Sequence, residues 1–218
     1  MYNTLHKGGY AMAKTIPMII TNKNILVKAK DSDKFVTFEM PGIEESLNIP
    51  FYHQFAQRIA ECQRYFKDFI KGIYGKHFTR NILAIIVPDD TSALERIFIK
   101  EFFLNSGACK AVAQITMGQA LSKTHSKYIS LSMSARNITL QYISGGEVMA
   151  RRYYDINDYS PKRIFEDAKR IHIDVEYAGV PVFINNFNMN MDEFLEMGQV
   201  VTPKEFMDKI SAIDVEKV

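Results

Sequence analysis

One order of elements occurs twice along this chain, and it limits the folds that the chain can adopt. Each half opens with three short runs rich in β-branched and aromatic residues, separated by turn residues, which predict a meander of three strands. These strands are predicted at Met18–Thr21, Ile25–Ala29 and Lys34–Glu39 in the first half, and at Tyr128–Met133, Ile138–Ser144 and Glu147–Tyr154 in the second. No sequence identity between the halves is visible, so the repeat is one of architecture.

The segments after the first meander predict parallel strands connected by helices. An apolar stripe predicts a helix from Phe51 to Lys71, and the continuous apolar run Asn81–Val87 suits a strand that is buried on both faces. A second helix is predicted from a cap at Ser92 to about Asn105, where Ser92 and Glu95 have the spacing of a capping box. Ala111–Ile115 is the strand expected after it.

The second half continues in the same way after its meander. Ser160 and Pro161 predict the start of a helix, Val180–Asn185 reads as an apolar strand, and Thr202 caps a last helix. We therefore predict an α/β protein with two lobes, residues 12–122 and 123–218, in which each lobe is a mixed sheet with helices.

The helix from Ser92 to Asn105 has apolar residues on more than one side. Leu94, Ile97, Phe98 and Phe102 are predicted to form its inner face. Ile99 and Phe103, spaced i and i+4, form a second stripe, so that the helix is either buried on more than one side or offers this stripe as a candidate interaction surface. The 11 Met and 15 Phe residues favour an adaptable association surface. A Phe-rich core that compensates for the absence of Trp explains the same composition equally well.

Composition excludes several classes of function. A net charge of +2, from 27 basic and 25 acidic residues, lacks the basic surplus expected of nucleic-acid binding. The two cysteines and five histidines show no metal-ligand spacing, so no metal site is expected. No signal peptide or membrane span is visible, which predicts a cytoplasmic protein and leaves a peripheral membrane contact open.

Three short pairs and two hairpins carry a resemblance to a known family. The pairs are Val87-Pro88, Glu95-Arg96 and Gly107-Ala108 within Asn81–Leu121, and the hairpins span Met18–Lys30 and Tyr128–Tyr154. Their order resembles the actin and heat-shock-chaperone ATPase superfamily, most of all a truncated, degenerate MreB-type bacterial actin homologue. The resemblance implies a two-lobed actin-like (ribonuclease-H-like) fold. Short spans at Pro41–Pro50 and between Ala168 and Val180 imply that the outer subdomains are missing.

The same resemblance implies where a nucleotide would bind. The family holds phosphate and metal at Asp-x-Gly-Thr-type turns in both hairpins, and it contacts adenosine at a later Gly-Gly pair. The matching positions here are Thr21, Asn22 and Lys23 in the first turn, Ser132, Ser134 and Arg136 in the second, and Asn185 and Asn186 for the Gly-Gly pair. Neither turn contains Asp or Gly, so the resemblance implies a degenerate site in which Lys23 or Arg136 is left to hold phosphate by charge.

Three functional hypotheses follow. The first is a non-catalytic interaction or assembly protein without a cofactor, which binds itself or another protein, with a role in bacterial cell shape or division implied by the resemblance. The second is an ATPase of the same superfamily that retains weak binding of ATP and magnesium. The third is a magnesium-dependent enzyme that uses Asp89 and Asp90, which follow a buried strand. We favour a simpler role for Asp89 and Asp90 in capping the next helix.

Overall fold

Ten strands form two mixed sheets in the computed structural model, which describes residues 14–44, 49–75, 78–122 and 124–211. The first lobe contains β1 (Thr15–Ile20), β2 (Ile25–Lys28), β3 (Phe35–Phe38), a 3-10 helix (Phe51–Arg58) that continues into α1 (Ile59–Tyr74), a second 3-10 turn (Phe78–Arg80), β4 (Ile82–Val87), α2 (Ala93–Asn105), β5 (Ala111–Thr116) and α3 (Met117–Ala120). Its sheet has the order β3-β2-β1-β4-β5. β1 pairs antiparallel with β2 and parallel with β4.

The second lobe repeats this topology. It contains β6 (Lys127–Met133), β7 (Asn137–Ser144), β8 (Glu147–Asp155), α4 (Pro161–Lys169), α5 (Ile173–Ala178), β9 (Val182–Asn185), a 3-10 helix (Asp192–Met197), β10 (Gln199–Val201) and α6 (Pro203–Ser211). The sheet order β10-β9-β6-β7-β8 places the first strand of the lobe in the centre, as in the first lobe. The predicted α/β fold with two mixed sheets is confirmed. β10 and α5 were not predicted, because three residues of strand and a six-residue helix give little periodicity.

A continuous apolar interface joins the lobes. Ile19 and Ile86 from the first sheet pack in one buried cluster with Tyr128 of β6 and Phe206 of α6. Met117 and Leu121, in and just after α3, belong to the same cluster. Each lobe also has a core of its own on the other face of its sheet. The predicted boundary at residues 122 and 123 stays a prediction, and residues 12, 13, 45–48, 76, 77, 123 and 212–218 of the predicted lobes lie outside the described residues.

The inner face predicted for α2 is confirmed for Phe102, which is 1% exposed, and is wrong for Leu94 and Ile97. Ile99 and Phe103, proposed above as an interaction surface, are 2% and 1% exposed and pack in the core of the first lobe. Leu94 and Ile97, predicted to face inward, are 79% and 59% exposed. Because apolar residues occupy several sides of α2, helical periodicity alone does not identify the side that packs against the sheet.

Within the described residues, no helix has both the length and the apolar character that crossing a bilayer requires. Cys62 and Cys109 are buried free thiols.

Candidate functional site

The side-chain hydroxyl of Thr21 forms the hydrogen bonds that close the turn between β1 and β2. Thr21 Oγ1 accepts hydrogen bonds from the backbone amides of Lys23 at 3.1 Å and Asn24 at 3.0 Å. It donates to the backbone carbonyl or the side-chain oxygen of Asn24. Lys23 itself is exposed. The amides of Lys23 and Asn24 are therefore used within the turn.

The turn between β6 and β7 uses the same device. Ser134 Oγ accepts from the backbone amides of Arg136 at 3.0 Å and Asn137 at 3.1 Å. The hydroxyl also lies 2.6 Å from Oδ2 of Asp90, to which it donates. Both hairpins thus place a hydroxyl side chain where it binds two amides of the turn, a common local motif of Ser and Thr.

The two turns meet at the seam between the lobes. Asn22 Oδ1 accepts from the backbone amide of Ala135 in the second turn and from Nδ2 of Asn188, each at 3.2 Å. The amide of Asn22 donates to Oδ1 of Asn188, also at 3.2 Å. The cavity that remains between the turns has a volume of about 10 Å³ and is lined in part by Thr21, Asn22, Asp90 and Arg136. A cavity of this size holds about one water molecule.

Arg136 extends from the second lobe and binds two acidic residues of the first. Its Nε lies 3.1 Å from Asp90 Oδ2, and its Nη1 lies 2.9 Å from Glu95 Oε1. Nη2 donates to Glu95 Oε2 at 3.2 Å and to the backbone carbonyl of Asp90 at 3.1 Å. The acidic partners are buried, with side-chain exposures of 2% for Asp90 and 10% for Glu95. Arg136 therefore joins the lobes through four hydrogen bonds.

Glu95 is held as a carboxylate by several donors. Burial acts to raise its pKa, but hydrogen bonds from Arg136, the Ser92 amide and His53 outweigh this and lower the pKa to about 2. Ser92 and Glu95 form the predicted capping box of α2. The same carboxylate thus fixes the start of α2 and binds the cation of the other lobe.

Asp89 and Asp90 do not cap α2, because Ser92 occupies that position. Asp89 is buried, and its oxygens accept from the Gly118 amide at 2.8 Å and from the Ser132 hydroxyl of β6. Burial raises the pKa of Asp89. Asp90 keeps one buried oxygen, Oδ1, without a hydrogen-bond partner among the described residues. The preference for a capping role is corrected: both carboxylates bind groups of the second lobe.

The two residues that match the family's Gly-Gly pair accept hydrogen bonds from backbone amides of the loop after β9. Asn185 Oδ1 accepts from the Phe187 amide at 3.1 Å, and Asn186 Oδ1 accepts from the Met191 amide at 2.8 Å. Asn185 also pairs in register with Ser132 of β6. Thr21, Asn22, Ser134 and Arg136 therefore meet at one place, Ser132 and Asn185 lie beside it, and Asn186 fixes the following loop.

Four residues of this site were not identified from the sequence as part of it. Asp90 was noticed only for its position after a buried strand, and Glu95 only as a helix cap. His53, whose Nε2 lies 2.6 Å from Glu95 Oε1, and Asn188 gave no signal. Their contacts join residues that are far apart in the chain, and no local pattern marks such contacts.

Comparison with known proteins identifies the fold. No family model matches the sequence, and no curated protein matches it. Among solved structures, the ethanolamine utilization protein EutJ from Carboxydothermus hydrogenoformans is similar with a TM-score of 0.53 and 10% identity, over 90% of this chain and 87% of that one. AlfA from a B. subtilis plasmid, solved as a filament, is similar with a TM-score of 0.51 and 11% identity, over 90% of this chain and 97% of AlfA. The chain has a two-lobed actin-like fold.

A third similar structure extends the range of functions found on this fold. A candidate N-acetylglucosamine kinase from Porphyromonas gingivalis matches with a TM-score of 0.52 and 8% identity, over 91% of this chain and 98% of that one. Identities of this size show the fold alone. The closer likeness to MreB stays a prediction from the sequence.

Proposed function

We propose that this actin-like chain is a non-catalytic interaction or assembly protein whose nucleotide site is closed by its own side chains. The observation that carries the proposal is the position of Arg136. In the family that the sequence resembles, phosphate and metal lie between the two hairpin turns. Here a guanidinium links the turn of one lobe to Asp90 and Glu95 of the other.

The turns support the same proposal. A phosphate-binding turn offers free backbone amides to the ligand. Here Thr21 and Ser134 accept hydrogen bonds from the amides of their own turns, and the Ala135 amide donates to Asn22. The remaining cavity of about 10 Å³ accommodates about one water molecule and no triphosphate. Binding of ATP therefore requires the lobes to separate and several hydrogen bonds to break.

An active ATPase is the second candidate, and one observation favours it. Asp90 Oδ1 is a buried carboxylate oxygen without a partner among the described residues, beside the turn where the family places its metal. Carboxylate oxygens are the preferred ligands of magnesium. Arg136 already occupies the other oxygen of Asp90, and this is why we rank the ATPase second.

Thermal unfolding with and without ATP and magnesium separates the two candidates. A ligand at 100 times its dissociation constant stabilises the folded state by about 2.7 kcal/mol. We expect no change in melting temperature at millimolar ATP and magnesium. A saturable increase would favour the ATPase, and phosphate release above background would establish it.

Self-association is the form of interaction that we propose first, because the similar AlfA structure is a filament. Sedimentation velocity across a hundredfold range of concentration tests it. Growth of larger species with concentration supports assembly of this chain with itself, whereas a monomer at every concentration assigns the interaction to another protein. A cytoplasmic role in bacterial cell shape or division, with or without a peripheral membrane contact, rests on the MreB-like sequence pattern.

A further inference from the structure

The outer edge of β8 has no neighbouring strand. β8 pairs only with β7, at the end of the sheet order β10-β9-β6-β7-β8. Among the described residues, no backbone hydrogen bond joins the outer edge of residues 150–154 to another element. Because alternate amides and carbonyls of an edge strand point away from the sheet, this edge offers free backbone groups to a further strand.

A β-bulge limits the regular part of this edge. The register of β8 against β7 shifts between Val148 and Ala150, which leaves Met149 as the extra residue. A bulge bends the strand and opposes further pairing at that point. The stretch that can receive another strand is therefore Ala150–Asp155.

Two charged side chains of this stretch lack a partner. Arg151 is half-buried, its Nε is buried without a hydrogen-bond partner, and its Nη1 donates to the hydroxyl of Tyr153 at 3.0 Å. Asp155 is exposed, and its Oδ1 accepts hydrogen bonds only from Asn157. In the part of the chain that the structure describes, neither Arg151 nor Asp155 has an ion-pair partner. Both project from the same face of β8 as Tyr153, which lies between them and is 50% exposed.

The stretch is complementary in charge to a reversed copy of itself. In an antiparallel pair with two-fold symmetry, one residue faces its own copy. When that residue is Tyr153, Arg151 of each copy lies opposite Asp155 of the other. Opposite charges in opposed positions stabilise a strand pair, and like charges destabilise it. A pair centred on Arg151 or Arg152 places two guanidinium groups opposite each other, and one centred on Tyr154 pairs no charges.

We propose that β8 is the edge through which this chain associates with a second copy of itself. The two β8 strands pair antiparallel about Tyr153, and the five-stranded sheets of the two second lobes become continuous. Asp155 of the second copy then supplies the carboxylate that Arg151 lacks. The contact is isologous, so it closes as a dimer. The inference rests on the self-association given under the proposed function, and it names the surface responsible.

Disulfide trapping tests the register. Tyr153→Cys places a thiol opposite its own copy, and opposed Cα atoms about 4.5–5.5 Å apart are within reach of a disulfide. Met149→Cys is the matched control, because Met149 is 52% exposed and lies outside the paired stretch, and the native cysteines are buried. Under mild oxidation we expect Tyr153→Cys to form a covalent dimer about tenfold faster or more. Equal rates for the two variants would overturn the proposal.

Charge exchange tests the two ion pairs in solution. The small contact predicts a weak dimer, so sedimentation equilibrium extends from micromolar to millimolar protein. Arg151→Asp and Asp155→Arg each place like charges opposite each other twice, and each should weaken the dimer about tenfold. The double variant with both exchanges should restore the affinity of the wild type. Glu147→Lys is the control, because Glu147 lies before the bulge and its replacement should leave the dissociation constant unchanged.

The outcomes separate this inference from the proposed function. A wild-type dimer that neither single exchange weakens assigns self-association to another surface and overturns the role of β8 alone. A wild type that stays monomeric at millimolar concentration overturns self-association itself, and leaves interaction with another protein. Weakening by both single exchanges without recovery in the double variant would contradict the register. Urea unfolding confirms that each variant is folded.

Discussion

Replacing Arg136 by alanine removes the guanidinium that joins the two lobes. The change leaves the carboxylates of Asp90 and Glu95 in place, with side chains 2% and 10% exposed. Removing one partner of a buried ion pair costs about 3–5 kcal/mol, because the remaining charge stays buried. Arg136 is itself 23% exposed, so water replaces part of its hydrogen bonding. We therefore expect a loss of about 3 kcal/mol in the free energy of unfolding.

Urea unfolding at pH 7, followed by circular dichroism, measures this loss. Arg152→Ala is the matched control, because Arg152 forms an ion pair with Asp167 and its side chain is 44% exposed. Exposed pairs contribute about 1 kcal/mol or less. A loss for Arg136→Ala no greater than that of Arg152→Ala would refute the conclusion that Arg136 holds the lobes together.

Three further outcomes are expected. The pKa of Glu95 is about 2 in the fold and 4.5 ordinarily, so the stabilisation by its carboxylate is complete above pH 4.5 and is lost as the pH falls towards 2. The difference in unfolding free energy between the wild type and Glu95→Gln should therefore shrink by about 2–3 kcal/mol over that range. Urea titrations at each pH measure it. Gly118→Ala places a methyl group 2.5 Å from Oγ of Ser130 and should lower the free energy of chemical unfolding by about 1–3 kcal/mol. Gly72→Ala in α1 is the control, because its methyl group meets nothing within 4 Å, and it should raise the free energy of unfolding by about 0.5–1 kcal/mol. Ile99→Ala should lower the free energy of unfolding by about 2–4 kcal/mol, because Ile99 is 2% exposed. Leu94→Ala should change the melting temperature little, because Leu94 is 79% exposed. Equal effects of the two substitutions would contradict the orientation of α2.

Most of the fold could be predicted because its signals are local. The turn residues between short strands and the apolar run of β4 define the two meanders and the parallel strands that follow them. The capping box at Ser92 and the Ser160-Pro161 start of α4 fall where they were expected. The face of α2 could not be predicted, because Leu94, Ile97, Ile99 and Phe103 are all apolar and only packing against the sheet distinguishes them.

The candidate site could be predicted in position but not in arrangement. The family resemblance pointed to the two hairpin turns, and these turns do meet. What it could not show is that Arg136 binds Asp90 and Glu95, more than 40 residues away in the chain. Each of these residues has an ordinary local role, in a turn, after a strand or at a helix cap. Their pairing appears only when the lobes are brought together.

The distance between the lobes, with and without nucleotide, tests the central claim most directly. Leu94 and Tyr177 are 79% and 80% exposed, one on each lobe, and cysteine at both positions accepts spin labels, while the native cysteines are buried. Pulsed electron paramagnetic resonance then measures the distribution of distances between the labels. A self-closed site predicts one narrow distribution that ATP and magnesium leave unchanged. A broad distribution that narrows or shifts on adding ATP and magnesium would contradict the account.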